Sequence, residues 1–395
     1  MNIAVANSAE RRVARGETTI RMPIHASRIT HHAPRSTEQG IALVIVMISI
    51  FVLAMLAGGF AYSMKVETKL ASNGNSEEEL QWLGRSGVEY ARWVLANSMA
   101  DPTKPYDSLD QPWATGSGFL GPTNAPIGEV QNPFTLGSGN VKWKISDLER
   151  KWNINTMLQA GGQDLLQNAF MNMGLDAGDM TPLVNSILNW MDKGNRIQGA
   201  RSEDYERMNP PYSAKNGPID DISELLMIRG ITPEMYWGTS AGDHPPGVFT
   251  PREKRSHMPT DMPSFPVGLV DIYTPISSGK ININTASAAV LQLIPGMTPM
   301  AAEGIASTRS GEDDGSGLTG PYRNVGDVRR VPEVTMEMAR AIQQFGDVRS
   351  RTFKVDVEAT VGGYTRYFTA ILGRNNPRDV QILSFYWSDP EQQKH

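Results

Sequence analysis

One uncharged apolar run constrains this chain more than any other feature of its sequence. Residues 41–64 (IALVIVMISIFVLAMLAGGFAYSM) form a stretch of 24 residues without a charged side chain. As an α-helix, the run would extend about 36 Å, enough to cross the hydrocarbon core of a bilayer. A secretory signal peptide has a shorter apolar region. The run therefore predicts one membrane-spanning helix.

The charges that flank this run predict its orientation. Residues 1–40 contain six Arg and three Glu, and Lys65 and Lys69 follow the run. Because basic residues concentrate on the cytoplasmic side of a span, we expect the N-terminus in the cytoplasm and the bulk of the chain in the periplasm. The basic leader is long, and Met22 is an alternative start that would shorten it.

Composition excludes several classes of function. The net charge is −5, and residues 1–40 carry +3, so the rest of the chain carries −8. An acidic body argues against nucleic acid as the main partner, because phosphate binding needs a basic surface. The chain has no cysteine, which excludes disulfides, thiolate nucleophiles and cysteine-ligated metals. No serine-hydrolase elbow or phosphate-binding loop is present, so we predict no enzymatic activity.

The helix is expected to continue beyond the span and to become amphipathic. Leu80, Leu83, Val88 and Ala91 recur at helical spacing on one face, whereas charged residues fall mainly elsewhere. We expect a helix of about 55 residues, whose first half faces lipid and whose second half packs on a domain. The residues predicted to form a partner-binding surface on this helix are Ile45, Leu80, Leu83, Val88 and Ala91.

Alternation of apolar and polar residues predicts strands on both sides of a helical block. Residues 101–140 are rich in Pro, Gly, Asn and Ser, which predicts a loop. Residues 141–145 alternate as a strand, and residues from 352 onward alternate as an antiparallel meander. These strands are expected to share one sheet in an α+β fold. The predicted organisation is a leader over 1–40, a transmembrane helix over 41–64, an amphipathic helix, a loop and first strands over 65–148, a helical insertion over 149–345, and C-terminal strands over 346–395.

Sequence echoes within the helical block predict repeated helix hairpins. Thr232 and Thr298 each precede Pro, as N-caps do, and Gly230 and Gly296 suit left-handed helix ends. We interpret these segments as helix-hairpin-helix or SAM-like units that pack against protein. The aligned segments are 226–235, 291–300 and 328–337, with a second echo between 153–156 and 282–285.

Several motifs, taken in order, resemble the type II secretion minor pseudopilins of the general secretion pathway protein K family. The resemblance covers most of the chain from Gly40 onward. It implies a long N-terminal helix on a small pilin-like sheet with a large helical insertion. The motifs are Gly40 with 41–44, 60–64, 189–192, Arg196 with 199–200, Tyr205, 210–212, 215–218, 224–236 and 281–286.

The resemblance also implies a route to the membrane and a place in an assembly. A prepilin peptidase would cleave after Gly40 and methylate the new N-terminus at Ile41. The mature protein would then form the tip of a periplasmic pseudopilus with other minor pseudopilins, next to the major pseudopilin. Most pilin-like proteins have Glu at the fifth mature position, where this chain has Ile45. A buried carboxylate without a partner is costly, so Ile45 fits a subunit with nothing above it.

Calcium is the one cofactor that the resemblance implies. The family's helical domain binds calcium, and the stretch 192–204 (DKGNRIQGARSED) is similar to the family's acidic loop. Carboxylate and amide oxygens are suitable calcium ligands. The candidate ligands are Asp192, Asn195, Glu203 and Asp204.

Two other functions remain open at this stage. One is a membrane-anchored helix-hairpin-helix protein that binds DNA, in which Lys280 and Arg309 would contact phosphates. The other is a minor pilin of a type IV pilus with a helical insertion. Genomic neighbours, rather than the sequence, would separate this second alternative from a secretion pseudopilin.

Overall fold

A computed structural model describes residues 39–99, 101–122, 124–159, 161–193, 202–238, 265–311 and 319–389. The chain divides into two compact units, residues 1–69 and residues 70–395. The candidate calcium ligand Asn195 lies outside the described residues, as do most of the leader and all six histidines.

The described residues form ten α-helices and eleven strands, with short 3₁₀ helices at Ile154–Leu158, Ile222–Met227 and Val325–Arg330. The α-helices are α1 (Gln39–Ser98), α2 (Pro112–Thr115), α3 (Gly162–Asn172), α4 (Ala177–Met191), α5 (Ser202–Glu206), α6 (Pro233–Trp237), α7 (Leu269–Ile272), α8 (Ala288–Gln292), α9 (Pro299–Arg309) and α10 (Met336–Phe345). The strands are β1 (Gly118–Leu120), β2 (Gly128–Val130), β3 (Phe134–Leu136), β4 (Gly139–Asp147), β5 (Trp152–Asn153), β6 (Tyr273–Thr274), β7 (Ile281–Asn282), β8 (Gly346–Asp347), β9 (Thr352–Val361), β10 (Tyr364–Asn376) and β11 (Asp379–Trp387).

The described part of the first unit is helical. Helix α1 has 60 residues and begins at Gln39, next to the predicted processing site. Its most apolar 18-residue window has a mean hydropathy of 2.9, and none of that window is buried. It is the single helix in the described ranges that is long and apolar enough to cross a membrane. The predicted span over 41–64 lies within it.

A five-stranded antiparallel sheet in the second unit has the order β11-β10-β9-β4-β3. Trp143 lies opposite Val357, which lies opposite Phe368 on the next strand, and all three side chains are buried on one face. The pairing of β4 with β9 joins the strand before the helical block to the strands after it. This confirms the prediction that they share one sheet, and the meander predicted from residue 352 onward is β9, β10 and β11.

The second half of α1 packs on this buried face. Gly84 and Gly87 allow the close approach, because a Cβ atom would lie 2.4 Å from the Phe368 ring at Gly84 and 2.6 Å from Val357 at Gly87. The core between helix and sheet also contains Leu80, Leu83, Val88, Ala91, Val94 and Leu95.

This packing corrects the predicted partner-binding surface. Leu80, Leu83, Val88 and Ala91 are at most 3% exposed and contact the chain's own sheet, so they are not accessible to a partner. Helical periodicity identifies which face of a helix is buried, but it does not identify what buries that face. Ile45, in the first unit, is the one member of the predicted set that is exposed.

The helical region has its own apolar core and two short parallel strand pairs, β5 with β6 and β7 with β8. The predicted caps are confirmed: Thr232 accepts a hydrogen bond from the amide of Met235, and Thr298 accepts one from Ala301. Gly230 and Gly296, with φ of 94° and 77°, have the predicted left-handed conformation. In the third aligned segment, Thr335 caps α10 in the same way.

The second sequence echo corresponds to a repeated hydrogen-bond pattern. The side chain of Asn155 accepts from the amide of Ile219 and donates to its carbonyl. The side chain of Asn284 does the same with Tyr322. The two segments differ in their caps: Asn153 caps the 3₁₀ helix Ile154–Leu158, whereas Asn282 closes a turn and Ser287 caps α8.

The predicted loop over 101–140 is partly wrong. This segment contains α2 and the short strands β1, β2 and β3. Each of these strands has three residues, which is too short for an alternating pattern to stand out among Pro and Gly.

Candidate functional site: exposed surfaces of the helix and sheet

The predicted processing position lies on an exposed helix start. Gly40 and Ile41 are in the first turn of α1 and are exposed, and an added Cβ at Gly40 would meet no atom within 4 Å. Ile45 is also exposed, one turn further along. Among the described residues, nothing lies within 4 Å of an added Cβ at Gly40, and Ile41 is 65% exposed; their processing stays a prediction.

A second candidate surface lies on the folded second unit, where aromatic side chains from α1 and β11 are exposed. Trp82 is 68% exposed and Trp387 is 58% exposed. The Arg85 guanidinium lies 5.7 Å from the centroid of the Trp82 ring and 5.9 Å from that of Phe385. Phe385 in turn stacks on Phe368 at 5.5 Å between centroids. We call Trp82, Arg85, Phe385 and Trp387 the aromatic strip.

The strip adjoins a free edge of the sheet. Strand β11 pairs with β10 on one side, and no other strand among the described residues pairs with its outer side. From Val380 to Ser388 the sequence VQILSFYWS carries no charge and no Pro. Proteins usually protect such edges with charged residues, Pro or a covering element. An uncharged edge next to exposed aromatic rings is typical of a surface that a partner covers.

The calcium prediction finds little support among the described residues. Asp192 is buried at the C-cap of α4, and the Asp204 carboxylate pairs with the Arg229 guanidinium at 3.2 Å. Glu203 is exposed, and Asn195 lies outside the described residues. No group of three or more acidic or histidine side chains in the described ranges is arranged to hold a metal. The described part of this loop therefore does not by itself fit a calcium ion.

One of the two cations named for DNA contact is engaged inside the protein. The Arg309 guanidinium donates to the carbonyl of Ile283 at 2.5 Å, and burial lowers the pKa of Arg309 to about 10. A guanidinium held by the backbone in this way is not directed at a phosphate. This geometry weighs against the DNA-binding alternative.

A buried polar junction joins the sheet to the helical region, and sequence reasoning did not predict it. Arg374 is 1% exposed, and its guanidinium pairs with Asp107 at 2.5 Å and donates to the Ser350 carbonyl. Asp147 is also 1% exposed and accepts from the Ser350 hydroxyl at 2.6 Å.

The sequence did contain a signal for this junction. The inward row of β4 runs 141, 143, 145 and ends at Asp147, and the inward row of β10 runs 368, 370, 372 and ends at Arg374. A charged residue in the buried phase of an alternating strand predicts a paired, buried group.

Electrostatics distinguish Asp147 from the other groups of the junction. Burial, together with the nearby carboxylates of Glu149 and Asp107, raises the pKa of Asp147 to about 7. Hydrogen bonds from Ser350 and Thr285 oppose this rise, because they favour the ionised form.

Comparison with known proteins identifies what the chain is similar to. A family model described as type II secretion system, protein K, matches residues 150–238, which include α3 to α6. A protein K homologue of Escherichia coli K12 is 25% identical over 214 residues, covering 50% of this chain and 60% of the relative. The type II secretion system protein K of Pseudomonas aeruginosa is 21% identical over 370 residues, covering 89% of this chain and 93% of the relative.

A solved structure extends the similarity to the fold. A chain in the crystal structure of the GspK-GspI-GspJ complex from enterotoxigenic E. coli aligns with a TM-score of 0.58 and 16% identity. The alignment covers 81% of this chain and 99% of the solved chain. The resemblance predicted from the motifs is thereby confirmed, with a mixed helix and sheet fold that follows an N-terminal apolar helix.

Proposed function

We propose that this chain, a relative of type II secretion system protein K, is a minor pseudopilin that forms the tip of a periplasmic pseudopilus. The proposal rests on two features that occur together in this chain. An exposed apolar helix long enough for a membrane precedes a domain that matches both the protein K family and a solved minor pseudopilin complex. Its role is structural, in support of protein export, rather than catalytic.

The first step of this function is export through the inner membrane. The six Arg before the apolar run and its 24 uncharged residues support a span with a cytoplasmic N-terminus and a periplasmic domain. Prepilin peptidase then cleaves after Gly40 and methylates Ile41. Both residues lie in an exposed helix turn, where a peptidase would have access.

The second step is assembly with other minor pseudopilins, as in the complex named for the solved relative. Two surfaces support it, the apolar first half of α1 and the aromatic strip with the β11 edge. Ile45 replaces the carboxylate that would neutralise a neighbouring amine, which suits a terminal subunit. The sheet with the second half of α1 is then the pilin-like domain, and the helical region is an insertion of SAM-like hairpins between its strands.

We also propose that the loop between α4 and α5 binds a calcium ion. Asp192, Glu203 and Asp204 flank that loop, and Asp204 would have to exchange Arg229 for the ion. Titration calorimetry of the purified protein with CaCl₂ tests it directly. Binding that Asp192→Asn abolishes supports the site, and no heat at millimolar calcium removes it.

The N-terminal mass of the protein isolated from its native membrane tests the export route. A mature start at methylated Ile41 is the expected result. A chain that retains residues before Gly40, in a host with active prepilin peptidase, would refute the pseudopilin function.

A second experiment tests the assembly step in a strain that lacks the native gene. Trp82→Ala together with Trp387→Ala is expected to reduce the other minor pseudopilins that co-purify by about tenfold, because buried aromatic residues dominate interface energies. Lys142→Ala is the matched control, since Lys142 is exposed on the opposite face of the sheet. Equal recovery from the double variant and from the control would exclude the aromatic strip as the binding surface.

A further inference from the structure

The buried junction contains more acidic than basic groups. Asp107, Asp147 and Glu149 are all at most 3% exposed. The fully buried cation, Arg374, pairs with Asp107. Arg150, half-buried in the turn after β4, is close enough to Asp147 to interact electrostatically. Asp147 therefore faces two carboxylates and has no cation hydrogen-bonded to it among the described residues.

Every other contact of the Asp147 carboxyl is a neutral donor, and these donors come from both sides of the junction. Its Oδ2 atom accepts from Asn282 Nδ2 at 3.3 Å, at the end of β7, and from Thr285 Oγ1 at 2.5 Å, in the turn that follows β7. The same atom accepts from Ser350 Oγ at 2.6 Å, in the link to β9. One carboxyl oxygen thus connects the sheet to the helical region.

The surrounding hydroxyl groups can accommodate either protonation state. Thr285 Oγ1 lies 2.5 Å from Asp147 and 3.4 Å from the carbonyl oxygen of Asn282. When Asp147 is ionised, the hydroxyl donates to the carboxylate. When Asp147 is protonated, the carboxylic acid can donate to Thr285 Oγ1 while that hydroxyl turns to the Asn282 carbonyl. The network therefore has a complete hydrogen-bond pattern with the proton present.

We propose that Asp147 is a pH-sensitive latch that holds the helical region on the sheet when it is protonated and loosens that contact when it is ionised. Ionisation places a third negative charge beside Asp107 and Glu149, with Arg374 already committed to Asp107. A periplasmic domain is exposed to a medium whose pH varies, so the latch would operate under working conditions. The periplasmic location rests on the function proposed above, whereas the test of the latch does not depend on it.

The direction of the pH effect follows from linkage. The pKa of Asp147 is raised from 3.8 in an unfolded chain to about 7 in the folded protein. The folded state therefore binds the proton more tightly, and the contribution of Asp147 to stability decreases as the pH rises from about 4 to about 7. The loss continues through pH 7 and levels off about one pH unit above it, where Asp147 is ionised in both the folded and the unfolded chain.

The test compares the full chain in detergent with Asp147→Asn between pH 6 and pH 8. The wild-type melting temperature is expected to fall by about 2–4 °C more than that of the variant over this range. Glu358→Gln, on the opposite face of the sheet, is the control and should keep the wild-type profile. Identical pH profiles for wild type and Asp147→Asn would overturn the proposal.

A second variant keeps the test valid if Asp147→Asn does not fold. Thr285→Val retains the carboxyl but removes a donor that favours its ionised form. The pH at which the melting temperature decreases is then expected to move upward. Infrared difference spectra between pH 6 and pH 8 should show the loss of one protonated carboxyl band in the wild type. A difference spectrum without that band would show that Asp147 keeps one protonation state from pH 6 to pH 8, and this result would also overturn the latch.

Discussion

Both halves of α1 carry apolar side chains, but those side chains have opposite environments. In the first half, apolar side chains are exposed all round the helix, including Leu43, Phe51 and Leu53. In the second half, apolar side chains follow one stripe, and that stripe is buried in the chain's own core. A helix that is apolar on every side needs a surrounding apolar phase, whereas one that is apolar on one face needs a single surface.

This difference explains why one helix can belong to a membrane and to a folded domain. Residues 41–64 have no counterpart surface within the described chain, so lipid and neighbouring subunits are the environments that fit them. Residues 80–95 already have the sheet as their counterpart. What remains for partners on the second half is its outer face, where Trp82 is exposed.

The largest expected effect comes from truncating one Leu in each half. Leu83→Ala should lower the free energy of unfolding by about 3 kcal/mol, because it removes a buried side chain and leaves a cavity. Leu53→Ala, at an exposed position, should change it by less than about 0.5 kcal/mol. Denaturant titration of the detergent-solubilised protein, followed by tryptophan fluorescence, measures both. Equal losses for the two variants would contradict the distinction between the halves.

A somewhat smaller effect is expected from adding one methyl group to a glycine in each half. Gly87→Ala should cost about 2 kcal/mol, since its Cβ would lie 2.6 Å from Val357 and 2.9 Å from Val141. Gly58→Ala meets no atom within 4 Å and should be tolerated, with a gain in helix propensity. Thermal unfolding monitored by circular dichroism separates the two. If Gly87→Ala has the same melting temperature as the wild type, the close approach of helix and sheet is not needed for stability.

The first half of α1 has no charged residue between 41 and 64, so a charge introduced there tests its environment. If the chain has the function proposed above, Ile45→Glu should lower the recovery of co-purifying minor pseudopilins by about tenfold, or about 1.4 kcal/mol, and should leave the unfolding of the second unit unchanged. The reason is that a carboxylate without a partner amine is costly in an apolar environment. Ile45→Leu is the conservative control. Full recovery with Ile45→Glu would argue against a terminal position for this subunit.

The parts of this fold that could be predicted are those with a strong local pattern. The run over 41–64 is apolar throughout, the amphipathic stripe repeats at helical spacing, and β9 alternates apolar and polar residues; each is present in the structure. The threonine caps were also predictable, because a cap depends on neighbouring residues alone. Strands of three residues, such as β1, were not predicted, because three residues are too few to show a repeated alternation of apolar and polar side chains.

The candidate sites were harder to predict because they depend on contacts between distant residues. The sequence predicted that Leu80 and Leu83 contact a partner protein. In the structure they are covered by the chain's own sheet, whose strands lie far along the sequence. The pairing of Asp107 with Arg374 spans 267 positions, and the Asp147 hydrogen bonds reach Thr285 and Ser350. An alternating sequence pattern can show that a charged residue is buried, but it does not identify the residue that pairs with it.

The smallest expected effect tests the outer face of the second half. Glu89 and Arg92 form an exposed ion pair at 3.0 Å, one turn apart on α1. Such pairs contribute little because water and salt screen them, so Glu89→Ala should lower the free energy of unfolding by about 0.3 kcal/mol and less at high salt. Denaturant titrations at low and at 1 M salt measure the difference. A loss as large as that of Leu83→Ala would mean that the outer face also holds the fold, and α1 would then have no surface in its second half free for a partner.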